Sequence, residues 1–399
     1  MIRHILKLVW NRKRANFLLV LEMAISFLVL FGVAALGIYC YDGYRRPLGF
    51  AWEDVWNVSV VAPGPEGEWG PDKVETVRQL AIAVRGIPEV EQVTTVSAAP
   101  FSNSHDISSY DRPNGGAPFE FGVIVAGDAF DKIMKLRMID GRWFSAEDDG
   151  ANYHPKVINQ RLARELFGTA SPIGKPLAIA ADGRPEERIV GVLQDFRKNG
   201  ELSAPANFVI SRADPQSPSA HASENLILRL RPGSPKSAEA RIVAALQATG
   251  KGWSFEIRPL SEMRALANKV RLAPLLSAGM VAVFLILMVG LGLTGVLWQN
   301  VTQRIKEIGL RRAKGATARD IQTQILGELV VLASAGIVLG GVIAIQFPLL
   351  ALVGPISTGI VLASLAASVV LLYGLTLLCG AYPSRMASRI TPAEALHYE

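Results

Sequence analysis

Four long apolar runs constrain what this chain can fold into more than any other feature of its sequence. A helix that crosses the hydrocarbon core of a bilayer needs about 20 consecutive, mainly apolar residues. Four stretches meet that requirement: residues 17–41, 273–298, 325–347 and 357–382. A single run of this kind could be a buried core helix, but four together are typical of an integral membrane protein. The sequence therefore predicts four transmembrane helices.

The basic residues beside the runs predict the orientation of the helices. Cytoplasmic flanks of membrane helices carry an excess of lysine and arginine. Such residues are concentrated in segments 1–16, 299–324 and 383–399, whereas segment 348–356 has none. We therefore expect both termini and the link between the second and third helices to be cytoplasmic. Residues 42–272 then form one large extracytoplasmic domain, and 348–356 is a short outside loop.

The net charge of +6 follows from this topology and does not indicate a nucleic-acid partner. Residues 42–272 hold 28 basic and 29 acidic side chains, so the outside domain is nearly neutral. The other 13 basic and 6 acidic side chains lie in or beside the predicted helices. Because the excess charge is spread along the membrane flanks, it gives no basic patch of the kind that binds nucleic acid. The two cysteines, Cys40 and Cys379, lie in apolar runs and indicate no disulfide framework.

The outside domain has the alternating periodicities of a mixed α/β fold. The predicted strands are Trp56–Val61, Val90–Val96, Phe119–Val125, Lys156–Asn159, Leu177–Ala180, Arg188–Leu193, Leu226–Arg231 and Ser254–Pro259. The predicted helices are Pro71–Arg85, Asp128–Leu136, Arg161–Phe167, Pro235–Ala248 and Ser261–Leu272. Residues 211–224 are expected to be a polar loop. The last helix is expected to continue straight into the second membrane run as a stalk.

Two motifs resemble nucleotide-binding loops but lack the required context. Gly290–Gly295 matches the dinucleotide fingerprint by letter, yet it lies within a predicted membrane helix, where small residues serve helix packing. Gly168–Lys175 has one residue too many between its glycines, and Pro176 stands where a phosphate loop needs serine or threonine. The histidines have no ligand spacing. We therefore predict no catalytic, cofactor or metal site in this chain and expect ATP and magnesium to be bound by another polypeptide.

The cytoplasmic link is the most informative segment of the sequence. It predicts a short basic helix, Thr302–Lys314, that Gly315 ends, with Thr317 capping the next helix. Three residues are expected to give this helix apolar contacts: Ile305, Ile308 and Leu310. On physical grounds two interpretations stay open: a helix that fits a groove in a cytoplasmic partner, or a positive flank that only fixes topology.

The link resembles the cytoplasmic coupling region of the MacB/FtsX-like permeases, the type VII ABC transporters. The residues that match the family pattern are Thr302, Arg304, Glu307, Ile308, Gly309, Arg311, Ala313, Gly315, Ala316 and Ile321. Four other blocks are similar to the family in the same order: Asp140–Phe144 with the acidic residues after it, Val157–Lys175, Ile189–Asp195 and Pro383–Glu399. The resemblance spans nearly the whole chain.

This resemblance implies a fold and a set of partners. The outside domain would be of the MacB periplasmic-core type, with a porter-like part at 50–135 and 222–262, an inserted part at 136–221 and a stalk at 261–272. The expected partners are two copies of a cytoplasmic ABC ATPase, a second identical or related permease, membrane lipid and, as a further option, a periplasmic adaptor. The expected location is the bacterial inner membrane. This chain is expected to lack the fused ATPase of MacB.

The resemblance also implies candidate functional residues. Those expected to couple to the ATPase are Thr302, Arg304, Glu307, Ile308, Gly309, Arg311, Arg312 and Gly315. Glu22 is an intramembrane carboxylate, for which a functional and a structural role both stay open.

Three functions are compatible with the sequence. The first is a permease subunit that couples ATP hydrolysis by a separate subunit to export of a drug, peptide or lipid-like substrate. The second is transport-free mechanotransmission that activates a periplasmic enzyme or extracts lipoproteins. The third, a membrane receptor without an ATPase, is disfavoured by the coupling pattern.

Overall fold

The structure is a computed structural model of the chain. It describes residues 13–64, 70–102, 106–112, 117–178, 186–203, 205–213, 225–235, 237–349 and 357–389. The sequence predictions for residues 1–12, most of loop 211–224, most of loop 348–356 and tail residues 390–399 lie outside the described residues. The chain divides into a helical unit, residues 1–42 with 272–399, and a sheet domain, Gly43–Arg271.

The helices and strands alternate in the sheet domain and only helices occur in the described part of the helical unit. The helices are α1 Lys13–Arg45, α2 Pro71–Arg85, α3 Phe130–Met134, α4 Gln160–Phe167, α5 Ser237–Thr249, α6 Leu260–Thr302, α7 Ile305–Ala313, α8 Ala318–Leu349 and α9 Thr358–Arg389. The strands are β1 Val55–Val61, β2 Val90–Val96, β3 Ile107–Tyr110, β4 Phe119–Ala126, β5 Met138–Gly141, β6 Tyr153–Asn159, β7 Glu186–Leu193, β8 Phe208–Arg212, β9 Asn225–Leu230 and β10 Ser254–Pro259.

Among the described residues, four helices are long and apolar enough to span a membrane, which confirms the predicted class of fold. Their apolar spans are Phe17–Arg45, Leu260–Gly295, Ala318–Gln346 and Thr358–Ser388. Helix α6 is continuous from Leu260 to Thr302, so the predicted stalk helix and the second membrane run form one element. Its first turns continue the chain directly from β10.

Small residues let α1 and α8 approach each other closely. A Cβ atom on Gly336 would lie 2.6 Å from Cβ of Met23, and one on Gly340 would lie 2.8 Å from the ring of Phe27. Such spacing of glycines at i and i+4 is a common contact surface between membrane helices, since van der Waals packing replaces the hydrophobic effect there. Helix α8 also contacts α9, where the hydroxyl oxygens of Ser334 and Tyr373 lie 2.8 Å apart.

The ten described strands form one mixed sheet. Nine of them follow the order β10-β1-β9-β2-β4-β8-β6-β7-β5, and β3 pairs with β4 outside this path. The parallel pairs are β4 with β8 and β6 with β7. Strands β5 to β8 belong to the predicted inserted part, and the β4–β8 pair joins them to the porter-like strands. The two predicted parts therefore share one sheet.

Helices α2 and α5 pack side by side on the β1–β9–β2 end of this sheet. The apolar face predicted for α2 is the buried one, with Val77, Leu80 and Val84 almost inaccessible to solvent. These side chains share a core with Ile242 and Leu246 of α5 and with alternate residues of the strands beneath. Burial of a side chain of this size stabilises the fold by roughly 1.5–3 kcal/mol.

Most predicted elements of the sheet domain are confirmed, and three corrections follow. The predicted strand Leu177–Ala180 is wrong at its described residues: the local pairing there is a single bridge between Pro176 and Arg188. Proline at this position cannot donate to a ladder, which explains the isolated bridge. The predicted helix Asp128–Leu136 is limited to Phe130–Met134. Strands β3, β5 and β8 were not predicted.

Candidate coupling site

Helix α7 is the core of the candidate site, and it begins later than its sequence predicts. Thr302 is the last residue of α6, where its hydroxyl donates to the carbonyls of Trp298 and Gln299 at 3.0 and 2.9 Å. A turn at residues 303–304 then separates α6 from α7, which starts at Ile305. The prediction that Thr302 opens the basic helix is therefore wrong. A threonine that bonds back to the preceding turn is satisfied at a helix end.

Gly315 ends α7 as predicted, through a Schellman motif. Its φ of +97° is in the region that favours glycine. The amide of Ala316 donates to Arg311 O at 3.1 Å, and that of Gly315 donates to Arg312 O at 3.0 Å. Thr317 then caps α8: its Oγ1 accepts from the amide of Asp320 at 3.2 Å. The turn between the two helices is thus specified by the local sequence.

A network of charged side chains joins α7 to α8. Arg304 donates from Nη1 to Glu328 Oε2 at 2.6 Å and from Nε to Glu307 Oε2 at 3.3 Å. Arg311 donates from Nη2 to Glu307 Oε1 at 2.7 Å and from Nη1 to Gln324. The fork of a guanidinium suits such shared carboxylates. Arg304, Glu307 and Arg311 therefore contact the chain's own helices.

Burial makes this network tighter than a surface ion pair. The side chain of Arg304 is 13% exposed and that of Glu328 is 16% exposed. Burial alone would lower the pKa of Arg304, but its bonds to Glu328 and Glu307 raise the pKa above its usual value. Loss of one partner would leave the other charge poorly solvated, which is costly in a partly buried site.

An apolar contact and a hydrogen bond add α9 to the same assembly. Ile308 of α7 packs with Val301, Ile321 and Ala387 in one buried cluster. Arg312 donates from Nη1 to the carbonyl oxygen of Ser388 at 2.7 Å. The ends of four helices, α6 to α9, are thereby held together by α7.

The opposite face of α7 is exposed and mixes basic with apolar residues. Lys306, Leu310 and Lys314 lie at i, i+4 and i+8, and Leu310 is 60% exposed. Ile305 and Ile308 are buried within this chain, whereas the apolar contact predicted for Leu310 stays a prediction. Gly309, between the two faces, is buried. This face therefore presents one apolar side chain between two basic ones.

Sequence reasoning missed Gln324, Glu328 and Ser388 as members of this site. Glu328 could have been predicted to bind a basic side chain, because a carboxylate near the start of an apolar helix needs a partner. Gln324 and Ser388 could not have been predicted, since their contacts depend on how the helices pack.

Glu22 faces α6 within the helical unit. A Cβ atom on Gly292 would lie 2.3 Å from Oε1 of Glu22, so the glycine makes room for this carboxylate. Ser26, one turn further, donates its hydroxyl to the carbonyl of Glu22 at 2.6 Å. Both a functional and a structural role of Glu22 stay open.

The motif blocks of the sheet domain have structural roles. Asp148, whose side chain is fully buried, accepts two bonds from Arg142 at 2.6 and 2.8 Å and one from the amide of Ser145 at 3.0 Å. Asn159 donates to Asp195 Oδ1 at 3.2 Å and accepts from the amide of Phe208 at 3.0 Å. These polar groups fix loops around β6 and β7.

Two family models match the chain and together cover most of it. Residues 17–245 match the MacB-like periplasmic core domain, which is more than half of the sequence. Residues 279–392 match the FtsX-like permease C-terminal region, which contains the whole candidate coupling site.

Named relatives agree with these models. The macrolide export ATP-binding/permease protein MacB of Bdellovibrio bacteriovorus is 28% identical over 69% of this chain and 44% of its own length. The uncharacterized ABC transporter permease YknZ of Bacillus subtilis is 29% identical over 68% of both chains. The pyoverdine export ATP-binding/permease protein PvdT of Pseudomonas syringae pv. tomato is 27% identical over 85% of this chain and 50% of its own.

The chain spans about half the length of the MacB relatives that it matches. The crystal structure of the periplasmic region of MacB from Actinobacillus actinomycetemcomitans is similar to 57% of this chain and 97% of that one, with 13% identity and a TM-score of 0.38. The two family models, which lie in the expected order along one chain, place it in a family: this protein belongs to the MacB/FtsX-like permeases of ABC transporters.

Proposed function

We propose that this chain is the permease subunit of an ABC exporter and that α7 receives the movement of a separate cytoplasmic ATPase. The supporting observation is the division of α7 into two faces. One face, Arg304, Glu307 and Arg311, bonds to the chain's own helices. The other face, Lys306, Leu310 and Lys314, is exposed. A force applied to the exposed face would pass through the ion network to α8 and through the α6 helix end to the stalk.

In this proposal, residues 1–16, 299–324 and 383–399 lie in the cytoplasm and the sheet domain lies in the periplasm. ATP and magnesium belong to the two ATPase subunits. Differential binding of the closed and open ATPase dimer to α7 would shift the permease between two states. Export is favoured over mechanotransmission without transport by two relatives, which are named as exporters of macrolides and of pyoverdine.

We also propose that a second permease pairs along α6. Eight positions of this helix recur at alternating spacings of four and three residues: Leu266, Val270, Ala273, Ser277, Met280, Phe284, Leu287 and Leu291. All eight are exposed in the single chain. This repeat is the seam of a coiled coil. Leu266 and Val270, which are 51% and 53% exposed, lie in the predicted stalk, where lipid would not cover them.

The coupling proposal is tested by reconstituting the chain with a candidate ABC ATPase subunit from the same organism. Leu310→Asp should abolish co-purification of the ATPase, because a carboxylate replaces the exposed apolar contact. Arg304→Ala should retain the ATPase but reduce its stimulation by the permease about tenfold, the size of a typical coupling free energy. A panel of macrolides added to the vesicles reports whether any of them stimulates ATP hydrolysis.

Val61→Asp is the matched control, since Val61 is 59% exposed but lies in the sheet domain. It should leave association and stimulation unchanged. Normal association of the Leu310→Asp chain would exclude the exposed face of α7 as the contact. Normal stimulation with Arg304→Ala would exclude the ion network as the transmitting element.

A further inference from the structure

One loop of the sheet domain contacts both of the segments through which the chain enters and leaves this domain. The loop is Asp195–Ser203, which follows β7, and we call it the basal loop. The entering segment begins at Gly43, at the end of α1, and the leaving segment is Leu260–Arg271, the start of α6.

The entering segment lies directly against the basal loop. Arg197 donates from Nη1 to the carbonyl of Gly43 at 2.7 Å, and its amide donates to Leu48 O at 2.9 Å. A Cβ atom on Gly43 would lie 2.7 Å from the carbonyl oxygen of Glu201. Backbone therefore meets backbone here, and the absence of a side chain at Gly43 permits the approach.

The leaving segment is held by a different set of bonds. Glu201 accepts from Arg264 Nε at 2.6 Å and from Asn268 Nδ2 at 3.4 Å. Arg271 donates to the carbonyl of Asn199. Residues 264, 268 and 271 are spaced by four and three residues, so they share one face of α6. Three successive turns of the helix thus contact one loop.

The basal loop is itself fixed to the sheet. Asp195 is bonded to Asn159 at the end of β6, and the carbonyl of Lys198 accepts from the amide of Phe101 at 2.8 Å. Gly200 has a φ of +91°, and a Cβ there would lie 3.4 Å from the Phe101 ring. These contacts fix the loop to the end of β6 and to the segment around Phe101.

The carboxylate of Glu201 is the central charge in this arrangement. Its side chain is 4% exposed, whereas that of Arg264 is 27% exposed. Arg264 also stacks over the ring of Trp52, with its guanidinium carbon 4.4 Å from the ring centroid. Burial raises the pKa of Glu201, but the bonds from Arg264 and Asn268 leave it below its usual value. The carboxylate is therefore ionised at neutral pH, and removal of its partner is costly.

We propose that the basal loop is a latch: Glu201 docks the first three turns of α6 on the sheet domain and thereby fixes their spacing from Gly43. A stalk helix that moves must either carry the loop with it or break the Glu201 contacts. This inference goes beyond the proposed function, since the latch is a property of the sheet domain and needs no nucleotide or ATPase.

The latch is tested in the full chain in detergent, with Cys40→Ser and Cys379→Ser as background. Spin labels are placed at the exposed positions Lys269→Cys and Glu91→Cys, and the distance between them is measured by double electron–electron resonance. Each labelled sample is mixed with an excess of unlabelled chain, so that only distances within one protomer are measured, and the background chain should then give one narrow distribution. Glu201→Ala and Arg264→Ala should each broaden it or add a second distance.

Glu75→Ala is the matched control, because Glu75 and Arg78 form an ion pair of similar length, 2.7 Å, on α2 and are far more exposed than Glu201. It should leave the distribution narrow. Hydrogen exchange of β6 and β7 is followed in the same samples and should stay slow in all variants. A narrow distribution in both latch variants would overturn the proposal. Fast exchange of the strands in both would overturn it too, since Glu201 and Arg264 would then stabilise the core and not a docked helix.

Discussion

Asp148 holds together a turn that follows β5. In the sequence, this turn resembles an exposed acidic loop. Asp148 receives bonds from Arg142, the amide of Ser145 and, at 3.3 Å, the hydroxyl of Tyr153. The bonds from Arg142 are the main reason why the pKa of Asp148 lies below its usual 3.8. The charged form is therefore the one that the folded domain stabilises.

The lowered pKa of Asp148 makes the stability lost on its substitution depend on pH. Because the pKa is lower in the folded than in the unfolded state, its contribution is present above pH 3.8 and is lost as the pH falls through the folded-state pKa. Asp148→Asn should therefore lower the free energy of unfolding by about 1–3 kcal/mol at pH 7. The difference from the parent chain should shrink below about pH 4.

Thermal unfolding across pH 3 to 7 measures this difference. Glu147→Gln is the control, since Glu147 is an exposed neighbour in the same turn, and it should have little effect at any pH. A difference for Asp148→Asn that is constant down to pH 3 would contradict the assignment of the shift to this carboxylate.

The glycines of α8 differ in how closely another helix approaches them. Gly336 and Gly341 both lie in α8, but only Gly336 meets another helix: a Cβ there would lie 2.6 Å from Met23 and 3.1 Å from the backbone of Ala24. A Cβ on Gly341 would meet nothing within 4 Å. The backbone of α1 cannot move aside for a methyl group at residue 336 as the end of a flexible side chain could.

Gly336→Ala should therefore destabilise the helical unit by about 1–3 kcal/mol, because α1 and α8 must separate to admit the methyl group. Gly341→Ala should be neutral or slightly stabilising, since alanine is the better helix former. Unfolding of the purified chain by graded denaturing detergent distinguishes them. Equal stability of the two variants would show that α1 and α8 are not in close contact at Gly336.

Sequence patterns predicted the helices and strands that have a clear apolar face of their own. The strands that were missed form because they pair with residues distant in the chain. The α2 helix has its proline start, its apolar stripe and a glycine at its end, so its bounds were predicted without error. Strand β3 has only the residues Ile107–Tyr110 and no clear alternation; it exists because Tyr110 pairs with Phe119 of β4. Strand β8 lies between a polar segment and a loop, and its parallel pairing with β4 has no local signature.

In the candidate coupling site, too, sequence predicted the local features and missed the contacts between distant residues. Helix α7, its glycine stop and the threonine cap are local features, and sequence predicted them. The start of α7 was placed too early because Thr302 continues the hydrogen bonding of α6. The partners of Arg304 and Arg312 lie 24 and 76 residues away, so their positions depend on the packing of α8 and α9.

For the whole molecule, hydropathy predicted the four long apolar helices, and the orientation inferred from the basic flanks stays a prediction. The same sequence contains the heptad seam of α6, which an isolated chain leaves uncovered. If two copies pair along it, residues on the seam should be close to their counterparts in the second copy.

Val270→Cys, in the chain with Cys40→Ser and Cys379→Ser, should therefore form a disulfide-linked dimer under mild oxidation in membranes. Lys269→Cys is the matched control, because the adjacent exposed residue points about 100° away around the helix and should link far more slowly. Non-reducing gel electrophoresis measures both rates. Similar rates for the two variants would argue against pairing along this seam.

The basal loop has a consequence for how proteins of this kind diversify. Because the chain enters the sheet domain at Gly43 and leaves it after Arg271 on the same loop, the two junctions are neighbours in space. A segment with adjoining ends can be exchanged as one cassette, without rerouting the polypeptide around it. Recombination at these two points would graft a new extracytoplasmic domain onto the same four-helix frame. The sheet domain and the four-helix unit can therefore evolve independently within one gene.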